Sequence, residues 1–218
     1  MRVRRALLGC GILSPLLYAL ADGLAGLTSA GYSFRDQTIS ELGAIGAPSR
    51  PLFSMLLIPT YLLLVAFGVG VRRSAGGRRG VRWASTLLIA LGILALAVGQ
   101  FVPMRPRGTA QGLSGTLHLV EGGVAMLVLF TAMGFAATAL GRWFRLYTLA
   151  TIALVLVFGA WTGVAAGPRI AAGLPTPWLG VIERVWWYVY QAWFVTLAVT
   201  LLREGRSGPD TIGGEETP

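Results

Sequence analysis

Six apolar runs, each long enough to cross a bilayer, constrain this chain more than any other feature of its sequence. A hydrocarbon core of about 30 Å is crossed by roughly 20 helical residues. Because lipid offers no partners to backbone N–H and C=O groups, single spans of this kind are helical. We therefore predict an all-α, polytopic integral membrane bundle of six transmembrane helices, at residues 6–27, 52–71, 84–102, 113–140, 146–167 and 181–202.

The composition agrees with lipid as the main solvent of the chain. Hydrophobic residues make up 55% of the sequence and charged residues 12%, whereas soluble domains carry about 25% charge. The first apolar run follows MRVRR and continues to Leu27, which is long enough to span, so we predict a retained helix rather than a cleaved signal. Cys10 is the single cysteine, which excludes a disulfide within the chain.

The arginines predict the orientation of the bundle. All eighteen basic residues are arginine, and twelve of them lie at the termini or in the even-numbered gaps between spans. The positive-inside rule then places both termini in the cytoplasm of a multi-pass plasma-membrane protein. The same clustering in gaps argues against a nucleic-acid partner. Residues 204–218 have no apolar periodicity, and we predict a disordered cytoplasmic tail there.

The longest and most polar connection, residues 28–51, is predicted to be an external loop. Thr38-Ile39-Ser40-Glu41 fits a capping box, in which Thr38 and Glu41 satisfy each other's free backbone donors. We expect a short amphipathic helix here, which lies at the outer surface or dips back into the bundle. Gly43 and Gly46 are expected to end it.

Polar residues recur on one face of three predicted helices, at helical spacing. These stripes are Ser14, Tyr18 and Asp22; Ser114, His118 and Glu121; and Arg184, Tyr188 and Gln191. At about 1.5 Å per residue, most of these groups, with Gln100 and Glu183, lie roughly 8–12 Å outward of the bilayer centre. The stripes predict one polar pocket open to the outside. Alternatively they are separate structural patches, in which Asp22 or Glu183 pairs with Arg184, and His118 with Glu121.

Gly159, Gly163 and Gly167 form a small-xxx-small ladder in the fifth span. Such ladders allow two helix backbones to approach closely in a membrane. We expect a close contact within the chain, with a homo-oligomer contact as the alternative.

Three segments carry a resemblance to a known family: YSFRDQTISELGAIGAPSRPLF at 32–53, the His118 segment, and GVIER at 180–184. They resemble an uncharacterised family of bacterial and archaeal membrane proteins, domain of unknown function 998. The resemblance covers nearly the whole chain. It implies a six-helix membrane fold and no established activity, and it groups the motif residues Asp36, Ser40, Glu41, His118, Glu183 and Arg184.

The favoured function is the binding of a lipid or other amphiphile, with Arg184 on an anionic head group, because its planar fork suits a carboxylate or phosphate. The candidate ligand-binding residues are Tyr18, Asp22, Asp36, Glu41, Gln100, Ser114, Glu183, Arg184, Tyr188 and Gln191. The expected partners are therefore membrane lipids and an amphiphilic ligand.

Two other functions stay open. A membrane-embedded hydrolase or transferase acting on a lipid would use His118 with Glu121 as base and orienting carboxylate, and Ser40 as nucleophile. A metal-dependent version would use His118, Glu121, Asp22 and Glu183, a set that suits a harder ion than zinc. A small proton-coupled transporter would relay protons through Asp22, His118 and Glu121. The sequence requires no cofactor.

Overall fold

The computed structural model describes residues 2–110 and 112–204, and these ranges contain helices and connections but no strand. Six of the helices are long and apolar enough to cross a membrane, which confirms the predicted bundle. Residues 205–218 of the predicted tail lie outside the described residues. The elements are α1 (Arg2–Thr28), α2 (Ile39–Leu42), α3 (Arg50–Arg73), α4 (Arg79–Leu94, continued as a π-helix over Ala95–Gly99), α5 (Gly112–Ala139), α6 (Arg142–Ala160, continued as a π-helix over Trp161–Ala166), α7 (Gly167–Ala171) and α8 (Leu179–Glu204).

The helices pack into one bundle around a shared apolar core. α1 lies against α3 and α8, α4 lies between α3 and α5, and α6 lies against α8. Leu8, Phe67 and Trp193 are fully buried in this core. The Trp193 indole also donates a hydrogen bond of 2.9 Å to the Thr148 hydroxyl, which joins α8 to α6.

The closest helix approaches are made at glycines outside the predicted ladder. A Cβ at Gly70 of α3 would lie 2.8 Å from the α1 backbone at Leu8. At Gly159, Gly163 and Gly167 a Cβ would meet nothing within 4 Å. The predicted close contact within the chain through this ladder is therefore wrong, because no neighbouring helix approaches these glycines. The oligomer contact stays a prediction.

Three connections form a layer at the end of the bundle opposite the start of α1 and the end of α8. They are residues 29–49, 100–110 and 172–178, and we call this layer the cap. Backbone hydrogen bonds join its parts: the Ile45 N–H donates to the Met104 carbonyl at 3.0 Å, and the Val181 N–H donates to the Arg35 carbonyl at 3.2 Å. The cap is therefore tied both within itself and to the start of α8.

The short helix α2 lies in the cap and dips into the bundle. It is a single turn, which ends at Gly43. Ile39 and Leu42 are buried in a cluster with Tyr18 of α1 and Phe53 of α3. The apolar face of this turn thus closes the end of the bundle.

Candidate functional site

A buried ion pair connects α1 to α8. Arg184 donates to both oxygens of Asp22, from Nη2 at 2.7 Å and from Nε at 3.0 Å. The Tyr188 hydroxyl donates to the same carboxylate at 2.7 Å. Asp22 is only 3% exposed, so its charge is neutralised inside the protein. A two-bond fork of this geometry holds two helices in a fixed register.

The other donors of Arg184 are used by the cap. Nη1 lies within hydrogen-bonding distance of the carbonyls of Phe34 (2.9 Å), Gln37 (3.3 Å) and Gly180 (3.1 Å), and Nη2 also donates to the Tyr32 hydroxyl at 2.7 Å. Guanidinium has five N–H groups, and all of them have protein acceptors. The structure thus gives these donors partners within the protein, and the role of Arg184 at a head group stays a prediction. The pairing of Asp22 with Arg184, the structural alternative, is the arrangement present.

Asp36 ties the first connection to the last one. Its carboxylate accepts hydrogen bonds from Arg35 at 2.9 and 3.0 Å, from the Ser33 hydroxyl at 3.1 Å and from the Trp178 N–H at 3.0 Å. The Arg35 hydrogen bonds, followed by the Trp178 amide, lower the pKa of Asp36 to about 2. Trp178 has a φ of 66°, a left-handed conformation that costs free energy in a bulky residue. The Asp36 contact stabilises that turn.

Glu41 ties the first connection to the middle one. Arg107 donates to both of its oxygens, at 2.8 and 2.9 Å, and the Thr38 N–H donates to Oε2 at 2.8 Å, so the Glu41 half of the predicted capping box is formed. Burial opposes the charged form, but the Arg107 and Thr38 hydrogen bonds outweigh it, and the pKa of Glu41 is lowered. Asp36 and Glu41 are therefore cross-links of the cap.

A cavity of about 430 Å³ lies below the cap, between α1, α3, α4, α5, α6 and α8. Its lining includes six of the predicted site residues, namely Tyr18, Ser40, His118, Glu121, Glu183 and Gln191. Asp22, Asp36, Glu41, Ser114, Arg184 and Tyr188 line neither this cavity nor the smaller one beside it. The predicted polar layer is thus divided between a cavity and the cross-links around it.

The smaller cavity, of about 120 Å³, shares part of this lining. Tyr18, Tyr61, His118 and Glu121 line both, and the smaller one reaches Gln100 and Arg50 under the cap. The two π-helical segments flank this region, since Ala95 and Gly163 both line the larger cavity. π-Helical turns are rare and occur frequently at functional sites.

His118 is held by the connection before its own helix. Its Nδ1 lies 2.9 Å from the Val102 carbonyl, and the Ser114 hydroxyl donates to the Pro103 carbonyl at 3.1 Å. Because a carbonyl can only accept, Nδ1 carries a proton, and in the neutral imidazole Nε2 then has a lone pair. No hydrogen bond joins His118 to Glu121 in the described ranges, so the predicted structural pairing of these two is absent.

Several polar groups that line the cavity have no hydrogen-bond partner among the described residues. The Oε1 of Gln191 and the Nε1 of Trp187 are buried and unpaired. The Glu121 carboxylate and the hydroxyls of Tyr18, Tyr61 and Tyr190 also lack one. The carboxylate of Glu183 accepts a hydrogen bond from the Ile39 N–H at the start of α2. Buried polar groups are normally paired, so this lining is suited to a polar ligand.

Sequence reasoning missed the α3 and α8 hydroxyls in this lining, Tyr61 and Tyr190. A usable signal existed for Tyr190, because Glu183, Trp187 and Tyr190 recur at i, i+4 and i+7, one face of a helix. No comparable spacing marks Tyr61. Within the described residues no group of three or more His, Cys, Asp or Glu could hold a metal ion. Asp22, one of the four predicted metal ligands, is engaged by Arg184.

Comparison with known proteins agrees with the resemblance of the sequence motifs. The profile of a family described as "Protein of unknown function (DUF998)" matches residues 12–200. No curated protein and no solved structure matches the chain. The matched region contains all six spanning helices in whole or in large part, the cap and the cavity lining, and the chain therefore belongs to the DUF998 family of proteins of unknown function.

Proposed function

We propose that this protein binds an amphiphile in the cavity below the cap, with the polar part of the ligand toward the cap. The unequal distribution of polar residues along the cavity carries the proposal. Ser40, Glu183 and His118 line its cap end, whereas Leu64, Leu129 and Phe194 line it deeper in the bundle. A molecule with one polar and one apolar end matches this lining.

The volume of the larger cavity and the glycines in its lining support the same function. Small-molecule sites occupy about 300–1,000 Å³, a range that includes this cavity. Gly122 and Gly123 of α5 and Gly159 and Gly163 of α6 line it, and a Cβ at any of them would meet nothing within 4 Å. We infer that a ligand enters from the surrounding lipid beside these glycines, which place no side chain on the lining.

The proposed location is the plasma membrane, with the cap outside. The arginine distribution supports this orientation, because the connections opposite the cap, with the chain ends, carry most of the charge. A ligand would then enter from the outer leaflet or the external solvent.

Native mass spectrometry of the protein purified in a mild detergent tests the proposal. We expect a retained small amphiphile on the wild-type chain. Gly163→Leu adds a side chain at the cavity lining, where a Cβ meets nothing within 4 Å, and should remove the adduct without unfolding the bundle. Gly134→Leu is the matched control, since its Cβ also meets nothing within 4 Å and it lines neither cavity. Adducts that persist equally on both variants would contradict the proposal.

A lipid hydrolase is the second candidate, because Ser40, His118 and Glu121 line both cavities and His118 presents a basic Nε2. No hydrogen bond joins Ser40 to His118 in the described part of the chain, and a nucleophile needs its base within about 3 Å. Release of fatty acid from lipids by the wild-type protein, abolished in Ser40→Ala, would establish this function instead.

A further inference from the structure

We propose that the polar group of the bound amphiphile is a cationic nitrogen, an amine or a quaternary ammonium. This inference rests on the proposed function and adds the charge of the ligand. Two carboxylates, Glu121 and Glu183, line the larger cavity, and no arginine does; lysine is absent from the sequence. An anionic group placed beside two carboxylates in a poorly solvated cavity would be strongly disfavoured.

Aromatic rings cluster around the same space. Trp187 is stacked on Tyr18 at 5.3 Å between ring centroids, and it meets Trp186 at 5.1 Å and Tyr190 at 5.2 Å edge to face. All four line the larger cavity. Tryptophan and tyrosine faces attract cations within about 6 Å, and aromatic cages are a common way of recognising quaternary ammonium groups.

Several unpaired groups of the lining can only accept a hydrogen bond, and the tyrosine hydroxyls can both donate and accept. Gln191 is only 6% exposed and its Oε1 has no partner among the described residues. The Glu121 carboxylate has neither an ion pair nor a hydrogen bond there, and only one oxygen of Glu183 is engaged, by the Ile39 amide. An ammonium N–H suits such acceptors, and a positive charge compensates the buried carboxylates. The unpaired Trp187 N–H leaves room for one acceptor, such as a hydroxyl, on the ligand.

The arginines near the larger cavity add no positive charge to its lining. The guanidinium of Arg184 donates its hydrogen bonds to Asp22 and to the cap. Arg107 forks onto Glu41. Arg50 lines only the smaller cavity. The lining of the larger cavity therefore contains two carboxylates, no arginine and a cluster of aromatic rings.

Three probes that share one alkyl chain test the charge. We would measure binding of radiolabelled decyltrimethylammonium by equilibrium dialysis, with the full-length protein in dodecyl maltoside micelles at neutral pH, and compete it with decanol and with decanoate. The cation should bind saturably and about tenfold or more tightly than decanol, with decanoate weakest. This is expected for a cation–π contact together with Coulomb attraction to a carboxylate, since the quaternary nitrogen has no N–H to donate.

Substitutions separate the site from nonspecific attraction to the micelle. Glu121→Gln should weaken binding of decyltrimethylammonium by about tenfold and leave that of decanol unchanged. Glu204→Gln, which removes the same charge at the opposite end of α8 where Glu204 pairs with Arg78, should leave both unchanged. Trp187→Leu is a second variant that removes the aromatic face and should also weaken the cation selectively.

The outcomes distinguish this inference from the proposed function. If decanol or decanoate binds as well as the cation, or if Glu121→Gln and Glu204→Gln behave alike, the cationic ligand is excluded while amphiphile binding stands. If none of the three probes binds saturably to a folded protein, amphiphile binding itself fails.

Discussion

Among single residues, Arg184 makes the hydrogen bonds that join three parts of the molecule. It joins α1, α8 and the cap through every donor that it has, and its side chain is only 13% exposed. Removing one partner of a buried ion pair leaves the other charged and unpaired, which costs about 3–5 kcal/mol. We therefore predict that Arg184→Ala lowers the thermal stability in detergent severely, and that Arg184→Lys lowers it in part, because an ammonium cannot form the fork.

The matched control is Arg78→Lys, whose partner Glu204 is exposed, so that only a small change in Tm is expected. Should Arg184→Lys keep the wild-type Tm and lose only the retained amphiphile, the residue would contact ligand after all.

The position of each predicted site residue along its helix could be read from the sequence, but not the direction in which its side chain points. Counting residues along a helix gives height, since each adds about 1.5 Å. Glu183 and Arg184 are neighbours, and therefore about 100° apart around α8. Glu183 faces the cavity and Arg184 faces α1, so the two side chains do not line one surface. Which of them faces the cavity depends on the rotation of α8 about its own axis. That rotation is set by the neighbouring helices and cannot be read from the periodicity of a single sequence.

At the scale of elements, the cap is a set of connections held by carboxylates in their charged form. Asp36 has a pKa of about 2, and the pKa of Glu41 is also lowered. A carboxylate whose pKa is lower in the folded state stabilises the protein above its unfolded pKa, near 4, and this contribution is lost as the pH falls toward the folded value. We predict a Tm that falls between about pH 4 and 2.

Asp36→Asn should lower the Tm at pH 7 and flatten the acid decline, because the substituted residue no longer titrates. Thermal unfolding of both proteins in the same detergent between pH 2 and 7 checks this. Parallel curves for the two would mean that Asp36 does not contribute to the acid sensitivity.

The six spans were predictable because hydropathy depends on composition alone, whereas the interruptions within them were not. The π-helical turns at Ala95–Gly99 and Trp161–Ala166 leave the apolar character of α4 and α6 unchanged.

The glycine ladder of α6 was visible in the sequence, but the contact predicted from it is absent, because the motif permits close packing without supplying a partner. The close approach occurs instead at Gly70 of α3, because α1 passes over it. Local spacing thus predicts that two helices can approach, and the tertiary arrangement decides where they do.

At the scale of the whole molecule, the orientation of the bundle decides which solution reaches the cap. Arginines cluster at the chain ends and in the connections opposite the cap, and we predict that these face the cytoplasm. The single natural cysteine, Cys10, is replaced by serine, and one new cysteine is then introduced as Ala30→Cys, an exposed position of the cap, or as Glu204→Cys at the exposed end of α8. In bacterial spheroplasts, a membrane-impermeant maleimide should label the Ala30→Cys protein at once and the Glu204→Cys protein only after lysis. The reverse pattern would place the cap on the cytoplasmic side, and the ligand would then have to come from the inner leaflet.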